Sequence, residues 1–264
     1  MVRYLLGYIG HWAGKAVANL HQAARLINQT AYWLTIGSFK KGVRVGSLIH
    51  EMTAVGFNSI PIVAVIAFCI GMILALQAAY QLRRIGAMVY VADLVSLSIA
   101  RELGPMLTAI IVAGRSGAAF TAEIGSMKVA EEIDALVTMG LNPIKFLVVP
   151  KFMAMLLMLP CLTLLADLTG MVAGGVIGVA SLGLDAGVYY QQTLRAVAMK
   201  DIVGGLVKSL SFACIITLVG VHQGFLVEGG ATSVGERTTS SVVTSIFLII
   251  LADCFFTTLS YIFT

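Results

Sequence analysis

The chain has 264 residues, of which 59% are hydrophobic and only 11% are charged. A soluble domain of this length needs about 25% charged residues to cover its surface, so the composition excludes that class and indicates a polytopic membrane protein. The net charge of +4 is modest and gives no reason to expect a nucleic-acid partner.

The amino-terminal part of the chain is basic and periodically apolar. Its first 51 residues contain one acid, Glu51, against the cations Arg3, Lys15, Arg25, Lys40, Lys41 and Arg44. This bias predicts a cytoplasmic amino terminus. Helical spacing of apolar residues predicts a helix lying in the membrane interface, with a soluble cytoplasmic helix as the alternative; these residues are Leu5, Ile9, Trp12, Ala16 and Leu20. We therefore divide the chain into an interfacial or elbow segment, 1–50, and a transmembrane domain, 51–264.

Five later stretches are apolar over the roughly 20 residues that a helix needs to cross the hydrocarbon core. They cover about 53–82, 94–121, 152–184, 202–225 and 240–263. With the amino terminus inside, the connection between spans 2 and 3 is cytoplasmic and the carboxyl terminus is outside. The cations around that connection agree with this topology, whereas Arg83 and Arg84 in the first outer loop count against it.

Five charged residues interrupt the apolar spans: Arg101, Glu102, Asp167, Lys208 and Asp253. A central Arg, Lys or Asp costs about 2.5–3.5 kcal/mol on insertion scales, so these side chains must face protein, water or a polar ligand. They either pair with one another and fix the bundle, or line a cavity in which Arg101 and Lys208 meet an anionic head group. Arg101 and Glu102 point about 100° apart on a helix and cannot face the same way. Pro105, which follows closely, predicts a kink in span 2.

One charged amphipathic stretch lies between spans 2 and 3, from Glu123 to Pro143. It predicts a helix from Ser126 to Met139, about 14 residues or 21 Å long, ended by Gly140 and Pro143. The apolar face carries Met127, Ala130, Ile133 and Val137; the polar side carries Lys128, Glu131, Glu132 and Thr138, with Asp134 at the border. An ordinary surface helix is the alternative. Because both ends run directly into membrane spans, the pattern favours docking to a soluble partner.

A glycine repeat marks one face of span 3. Gly170, Gly174 and Gly178 recur at every fourth residue, which makes a smooth helix face that another backbone can approach closely. The pattern predicts a packing seam.

Enzyme motifs are not found in the sequence. The stretch from Gly10 to Ala16 is one residue short of a phosphate-binding loop and lacks its Ser or Thr. The four histidines show no metal-ligand spacing. We therefore expect neither a metal site, nor a bound cofactor, nor ATP hydrolysis by this chain itself.

The segment from Ala100 to Pro143, ARELGPMLTAIIVAGRSGAAFTAEIGSMKVAEEIDALVTMGLNP, resembles the signature of a known family. GLVKS around Lys208 fits the same family, as does GGATSVGERTTSSVV followed by Asp253. The family is that of the MlaE permeases, the membrane subunits of ABC transporters associated with MCE proteins. The resemblance covers most of the chain after about residue 45.

This resemblance implies an all-α polytopic membrane protein with an amino-terminal interfacial helix, five transmembrane helices and a cytoplasmic coupling helix between spans 2 and 3. It further implies a homodimer in the bacterial inner membrane that moves phospholipid between the inner and outer membranes and so supports outer-membrane lipid asymmetry. The implied partners are cytoplasmic ATPase subunits, which bind the ATP, a periplasmic ring of MCE-domain subunits, and a small STAS-type accessory subunit.

The resemblance also assigns roles to individual residues. Arg101, Glu102 and Lys208 match polar positions near the lipid cavity. The coupling helix takes in the ATPase-coupling residues Ser126, Lys128, Glu131, Glu132, Asp134 and Met139. The roles of Asp167 and Asp253 stay open.

Two other functional classes compete with this interpretation. A proton-driven secondary transporter would use Asp167, Glu102 and Asp253 as carriers, but no inverted repeat is visible. A non-transporting scaffold would only anchor an MCE ring, and the charges within the spans would then be costly without a purpose.

Overall fold

The structure is a computed structural model that describes residue 22 and residues 24–34 and 45–263. Every regular element within these ranges is helical, as the all-α prediction requires. The α-helices are α1 (24–32), α2 (Val45–Val55), α3 (Ile60–Leu82), α4 (Val91–Ser98), α5 (Gly104–Val112), α6 (Ala118–Val129), α7 (Glu132–Thr138), α8 (Val149–Ala180), α9 (Ala186–Ala196), α10 (Met199–Phe225) and α11 (Ala231–Phe263).

Short 3-10 and π-helical turns join several of these helices into longer ones. Five of the resulting helices are long and apolar enough to cross a membrane, which confirms the predicted number of spans in the described part of the chain. They are span 1 (Val45–Ile85), span 2 (Met88–Val129), span 3 (Ile144–Ala180), span 4 (Met199–Phe225) and span 5 (Ala231–Ile262). All five exceed the roughly 20 residues that a bilayer requires, because the helices continue beyond the most apolar stretches.

The predicted interfacial segment, 1–50, lies largely outside the described residues, including all five apolar residues on which its periodicity depended. Helix α1 within that segment buries Leu26 and Thr30, one turn apart, and exposes the residues between them. Leu26 packs against Ile124, Val148 and Val221. Helix α1 therefore lies against the ends of spans 2, 3 and 4, at the end of the bundle that also carries α7.

Spans 1 and 3 approach each other at two glycines. A Cβ added to Gly71 in span 1 would collide with the backbone carbonyl of Gly170 in span 3, and one added to Gly170 would lie 3.3 Å from the carbonyl oxygen of Ala67. Small residues permit such backbone contact between membrane helices. The predicted packing seam on span 3 is confirmed here.

The rest of the glycine seam receives an aromatic ring. Tyr189 of α9, which connects spans 3 and 4, lies over Gly174, Gly175 and Gly178; Cβ atoms added at the last two would sit 3.1–3.2 Å from its ring. The Tyr189 hydroxyl donates a long hydrogen bond of 3.4 Å to the carbonyl of Met171. Burial raises the pKa of Tyr189 to about 12, so the phenol stays neutral at physiological pH.

Span 2 is not a uniform α-helix. A π-helical turn, Ile99–Leu103, precedes α5, and a second one, Ala113–Gly117, follows it. Pro105 lies in the first turn of α5, where its missing N–H leaves a carbonyl of the preceding turn without a helical donor. The carbonyl oxygen of Ala100 faces Gly205 of span 4, where an added Cβ would lie 2.5 Å from it. Pro105 thus adjoins a π-helical turn that carries Arg101 and Glu102, while the kink expected at Pro105 stays a prediction.

Burial is unequal among the spans. The largest core cluster lies chiefly between spans 2, 3 and 4 and includes Val112, Met155, Leu159, Phe212 and Ile216. In their most apolar windows, 61% of residues are buried in span 3 but only 22% in span 1 and 11% in span 5. Spans 1 and 5 therefore leave large apolar faces for lipid or for another polypeptide.

Candidate functional site

A buried lysine gathers polar groups from three spans. The Nζ of Lys208 in span 4 lies 2.5 Å from Glu102 Oε2 in span 2 and 3.0 Å from Asp253 Oδ1 in span 5. It also donates a hydrogen bond of 3.0 Å to the hydroxyl of Thr257. Thr257 donates in turn to the Glu102 carboxylate at 3.1 Å. We call these four residues the Lys208 cluster.

Local structure explains how the Lys208 cluster assembles. Asp253 and Thr257 are four residues apart on α11 and share a helix face. Glu102 lies in the π-helical turn of span 2. Lys208 lies nine residues after the first residue of span 4, Met199, which is about 14 Å along the helix axis. The cluster is therefore nearer the end of the bundle opposite to α7.

Arg101 pairs with a different residue from its sequence neighbour Glu102. Its Nε lies 2.7 Å from Oδ1 of Asp201, which is two turns before Lys208 on span 4. Asp201 also accepts a hydrogen bond of 3.0 Å from the backbone N–H of Ala198 and so caps α10. Arg101 and Glu102 thus point to different partners, as their helical geometry predicted. The sequence analysis missed Asp201, whose position at the border of span 4 resembled an ordinary helix start, and it missed Thr257, which carries no charge.

Two of the predicted site residues remain partly exposed inside a membrane-spanning segment. The side chain of Arg101 is 48% exposed and that of Glu102 is 37% exposed, whereas Lys208 is 7% exposed. The pairing that the sequence analysis considered is present. It does not cover Arg101 and Glu102 completely, so some of their polar surface stays exposed in this single chain.

The segment between spans 2 and 3 differs from its prediction. A continuous helix from Ser126 to Met139 was expected, but α6 ends at Val129 and α7 begins at Glu132. Glu131 between them has a φ of 57°, in the left-handed region. Ser126 and Lys128 therefore belong to the last turn of span 2, and α7 has only seven residues.

Tertiary contacts accompany this break in the helix. Lys128 Nζ donates a hydrogen bond of 2.5 Å to the carbonyl of Phe225 at the end of span 4. Gly125 packs against Val227, since an added Cβ would lie 2.8 Å from that side chain. These contacts hold the end of α6 against spans 4 and 5. The chain then turns at Glu131 before it returns to span 3.

The exposed face of α7 is also different from the predicted one. Leu136 is buried and Ile133 packs beside Ile124 and Val148. Val137, predicted on the apolar face with Met127 and Ala130, is 56% exposed because the turn at Glu131 changes the helical register. Apolar side chains therefore lie at the surface next to exposed acids: Val137, Met139 and Leu141 beside Glu131, Glu132 and Asp134.

A groove runs beside α7, between it and the loop that joins spans 4 and 5. Its volume is about 450 Å³. It is lined by one cation and three acids, together with apolar residues: Lys128, Glu131, Asp134 and Glu228, with Val129, Ile133, Phe225 and Val227. Because three acids line the groove against one cation, it presents a net acidic surface.

Asp167 lies apart from the Lys208 cluster. It is buried in span 3, and its Oδ1 has no hydrogen-bond partner among the described residues. That oxygen lies against Gly104, where an added Cβ would collide with it. The three proposed proton carriers are therefore not joined into one group, since only Glu102 and Asp253 share Lys208.

The fold and these charged groups define a multi-pass membrane protein with polar residues inside its spans. The family profile described as permease MlaE matches residues 48–259, and the chain belongs to this family. The resemblance found in the sequence is thereby confirmed.

Known proteins extend this assignment. A probable ABC transporter permease protein of Rickettsia prowazekii is 35% identical over 253 residues, covering 96% of this chain and 98% of that protein. A probable ABC transporter permease protein of Synechocystis is 38% identical over 213 residues, covering 81% of each. The chloroplastic protein TRIGALACTOSYLDIACYLGLYCEROL 1 of Arabidopsis thaliana is 35% identical over 205 residues, covering 78% of this chain and 59% of that protein.

An ABC permease is a transport subunit and works together with an ATPase subunit. The assignment therefore favours the ABC permease over the proton-driven transporter and the scaffold.

Proposed function

We propose that this chain forms, as a homodimer, the lipid pathway of an ABC transporter that moves phospholipid between the inner and outer membranes of a bacterium. The observation that carries the proposal is the partial exposure of Arg101 and Glu102 within span 2. A charge facing hydrocarbon costs about 2.5–3.5 kcal/mol on insertion scales. Such side chains are stable when they line a polar cavity, and a second copy of the chain would enclose one.

The position of the Lys208 cluster supports a cavity at the dimer interface. Its members Asp253 and Thr257 belong to span 5, the span with the least buried surface. An apolar face next to partly exposed charges suits a lipid, because acyl chains need an apolar wall and the head group needs polar partners. A second copy packed on spans 1 and 5 would complete both surfaces.

The charges of the site suit a phosphate. Arg101 offers a half-exposed guanidinium whose Nε is bonded to Asp201, and guanidinium groups bind phosphate oxygens in a bidentate manner. The name of the Arabidopsis relative contains a glycerolipid, trigalactosyldiacylglycerol. A glycerophospholipid shares the two acyl chains of that molecule and adds the anionic group that Arg101 would bind.

Helix α7 is the proposed contact for the ATPase. It carries exposed apolar residues beside exposed acids, and it lies between spans 2 and 3, separated from the end of span 2 by two residues and from the start of span 3 by five. In this proposal α7 lies on the cytoplasmic side, with the amino terminus, as the basic residues of the amino-terminal segment favour. The MCE-domain ring and the Lys208 cluster then lie toward the periplasmic side. The partner binds the ATP, and a STAS-type subunit completes the assembly. Closure of two ATPase subunits would draw the paired α7 helices together, tilt spans 2 and 3 and compress the cavity.

The lipid site is tested by replacing Lys208 and measuring bound phospholipid. Lys208→Ala in the purified dimer is expected to lose most co-purifying phospholipid, because its removal leaves Glu102 and Asp253 to repel the phosphate. Lys200→Ala removes an exposed lysine on the same helix and serves as the control. Mass spectrometry of the extracted lipids gives the result. Equal phospholipid in both variants, at equal yield of dimer, would contradict the head-group role.

The docking surface is tested by reversing one charge on α7. Glu132→Lys is expected to weaken ATPase binding about two- to fivefold, which corresponds to about 0.5–1 kcal/mol for an exposed ion pair. Lipid-stimulated ATP hydrolysis at limiting ATPase concentration should fall by the same factor. Glu236→Lys, an exposed acid on span 5, makes the same charge change off α7 and should have less effect. Unchanged stimulation in Glu132→Lys would exclude α7 as the contact.

A further inference from the structure

A second buried lysine joins three spans at the end of the bundle that carries α7. The side chain of Lys151 in span 3 is 1% exposed. Its Nζ lies 2.6 Å from Glu51 Oε1 in α2 and 2.6 Å from Glu123 Oε2 in α6. It also lies 4.9 Å from the centre of the Phe120 ring, a distance at which a cation is attracted to the ring face. We call Lys151, Glu51 and Glu123 the Lys151 cluster.

A second cation holds the adjoining part of span 1. Arg115, in the second π-helical turn of span 2, donates a hydrogen bond of 3.0 Å to the carbonyl of Ala54 and one of 2.6 Å to the hydroxyl of Ser59. Ala54 precedes the short 3-10 turn Phe57–Ser59, which separates α2 from α3, and Ser59 is the last residue of that turn. The hydroxyl of Ser59 donates in turn to the carbonyl of Val55 at 2.6 Å. The junction between α2 and α3 is therefore bonded to span 2 on both of its sides.

The Lys151 cluster has one residue before α7 in the chain and one after it. Glu123 precedes α7 in the last helix of span 2, and Lys151 follows it near the start of α8. Glu51 connects this pair to α2, which belongs to span 1 and not to the segment between spans 2 and 3. A buried lysine is separated from its carboxylates only at high cost, because both charges then stand unneutralised in a medium of low dielectric. The three span ends are thus held together more firmly than apolar contacts alone would hold them.

We infer that Lys151 is a positioning residue that makes α2 and the start of span 1 follow the movement of α7. The inference deepens the proposed function, on which it rests, because it takes α7 as the point at which the ATPase applies force. Lys151 transmits that displacement to Glu51, and Arg115 keeps the junction of α2 and α3 rigid. Span 1 then tilts with spans 2 and 3, while span 5, which takes no part in the Lys151 cluster, changes its distance from them.

The first test measures distances in the complete complex with and without trapped ATP. Spin labels on Ala135→Cys in α7 and His50→Cys in α2, in a background without the native cysteines, report the α7–α2 distance. Labels on Ala135→Cys and Glu236→Cys report the reference distance from α7 to span 5. The α7–α2 distance is expected to stay constant between the two states while the reference distance changes.

The second test removes the ion pairs without leaving a buried charge. The triple variant Lys151→Met, Glu51→Gln, Glu123→Gln replaces the cluster by neutral groups of similar size, which folded proteins tolerate well. We expect ATPase binding to persist, the α7–α2 distance to shift between the two states, and phospholipid moved per ATP to fall about tenfold, within the usual range of coupling between linked sites. Two single variants serve as controls. Lys151→Arg keeps the positive charge and should retain transport. Lys145→Met removes a lysine stacked on Trp33 and should leave transport unchanged.

The outcomes separate the two proposals. A constant reference distance in the wild-type complex would show that ATP does not move α7 and would overturn the proposed coupling together with this inference. Suppose instead that, in the wild-type complex, ATP changes the reference distance and changes the α7–α2 distance by the same amount. The proposed coupling would then stand, and this inference alone would be overturned. A triple variant that keeps the wild-type ratio of lipid to ATP would also overturn this inference alone.

Discussion

Two buried lysines organise opposite ends of this protein. Each has two carboxylates within 3.0 Å: Lys208 joins spans 2, 4 and 5, and Lys151 joins spans 1, 2 and 3. The two clusters resemble each other in the exposure of their acids. Each has one acid that is 13% exposed, Glu51 or Asp253, and one that is partly exposed, Glu123 at 50% or Glu102 at 37%. The clusters differ in position, because Lys151 lies at the end of the bundle that carries α7 and Lys208 lies nearer the opposite end.

This difference in position shows that similar ion pairs can connect different parts of a bundle. Separating a buried lysine from its carboxylates is costly at both ends, because charges are then left unneutralised in a medium of low dielectric. Each cluster holds two acids and one lysine. At the Lys208 end the half-exposed Arg101 is a further cation, the one proposed above to bind phosphate.

The largest expected effect is the loss of either lysine. Lys208→Met and Lys151→Met each leave two carboxylates without a cation, and each is expected to lower the free energy of unfolding by about 3–5 kcal/mol. Unfolding of the purified protein in mixed detergent micelles measures both values. A loss of about 1 kcal/mol or less for only one of the two variants would break the comparison, since the two clusters would then not contribute equally to stability.

Within the Lys208 cluster, the two acids should differ. Glu102 lies 2.5 Å from Lys208 Nζ and accepts from Thr257, so Glu102→Gln is expected to cost about 1.5–3 kcal/mol. Asp253 lies 3.0 Å from Lys208, but its Oδ1 makes no hydrogen bond in the described part of the chain, so Asp253→Asn should cost about 0.5–1.5 kcal/mol. The same micelle unfolding experiment ranks them. A larger loss for Asp253→Asn would show that burial outweighs hydrogen bonding there.

The smallest effect on stability is expected at Arg101. Half of its side chain is exposed, and Asp201 retains the backbone N–H of Ala198 as a donor, so Arg101→Gln should change the free energy of unfolding by about 1 kcal/mol or less. Bound phospholipid should nevertheless fall, since the proposed phosphate partner is lost. Thermal unfolding and lipid analysis of one preparation measure both. A stability loss as large as that of Lys208→Met would make Arg101 a structural residue.

Sequence patterns predicted those features that depend on single helices. The five spans follow from runs of apolar residues, and the close approach at Gly170 follows from glycines repeated at every fourth residue. Mutual pairing of the charges within the spans was one of two alternatives, because a charge in lipid requires a partner, but which residues pair was not predicted. Asp201 and Thr257 gave no such signal, since a polar residue at a span border or a lone threonine is common in any membrane helix.

The sequence patterns did not predict the Lys151 cluster, for a related reason. Glu51, Glu123 and Lys151 lie at the edges of apolar stretches, where positive-inside statistics already account for a charge. The continuous helix from Ser126 to Met139 was wrong because helical periodicity describes an isolated segment. Lys128 is bonded to the Phe225 carbonyl across the bundle, and the backbone turns at Glu131 instead.

The sequence by itself determined that this protein crosses a membrane five times, packs span 3 through glycines and belongs among the MlaE permeases. These properties follow from local composition and spacing, which the hydrophobic effect and backbone sterics translate directly into helices and close contacts. Only the tertiary structure decided which acids each lysine meets and where the segment beside span 2 turns. Those outcomes depend on distances between residues about 30 to 155 positions apart in the chain, which no local pattern encodes.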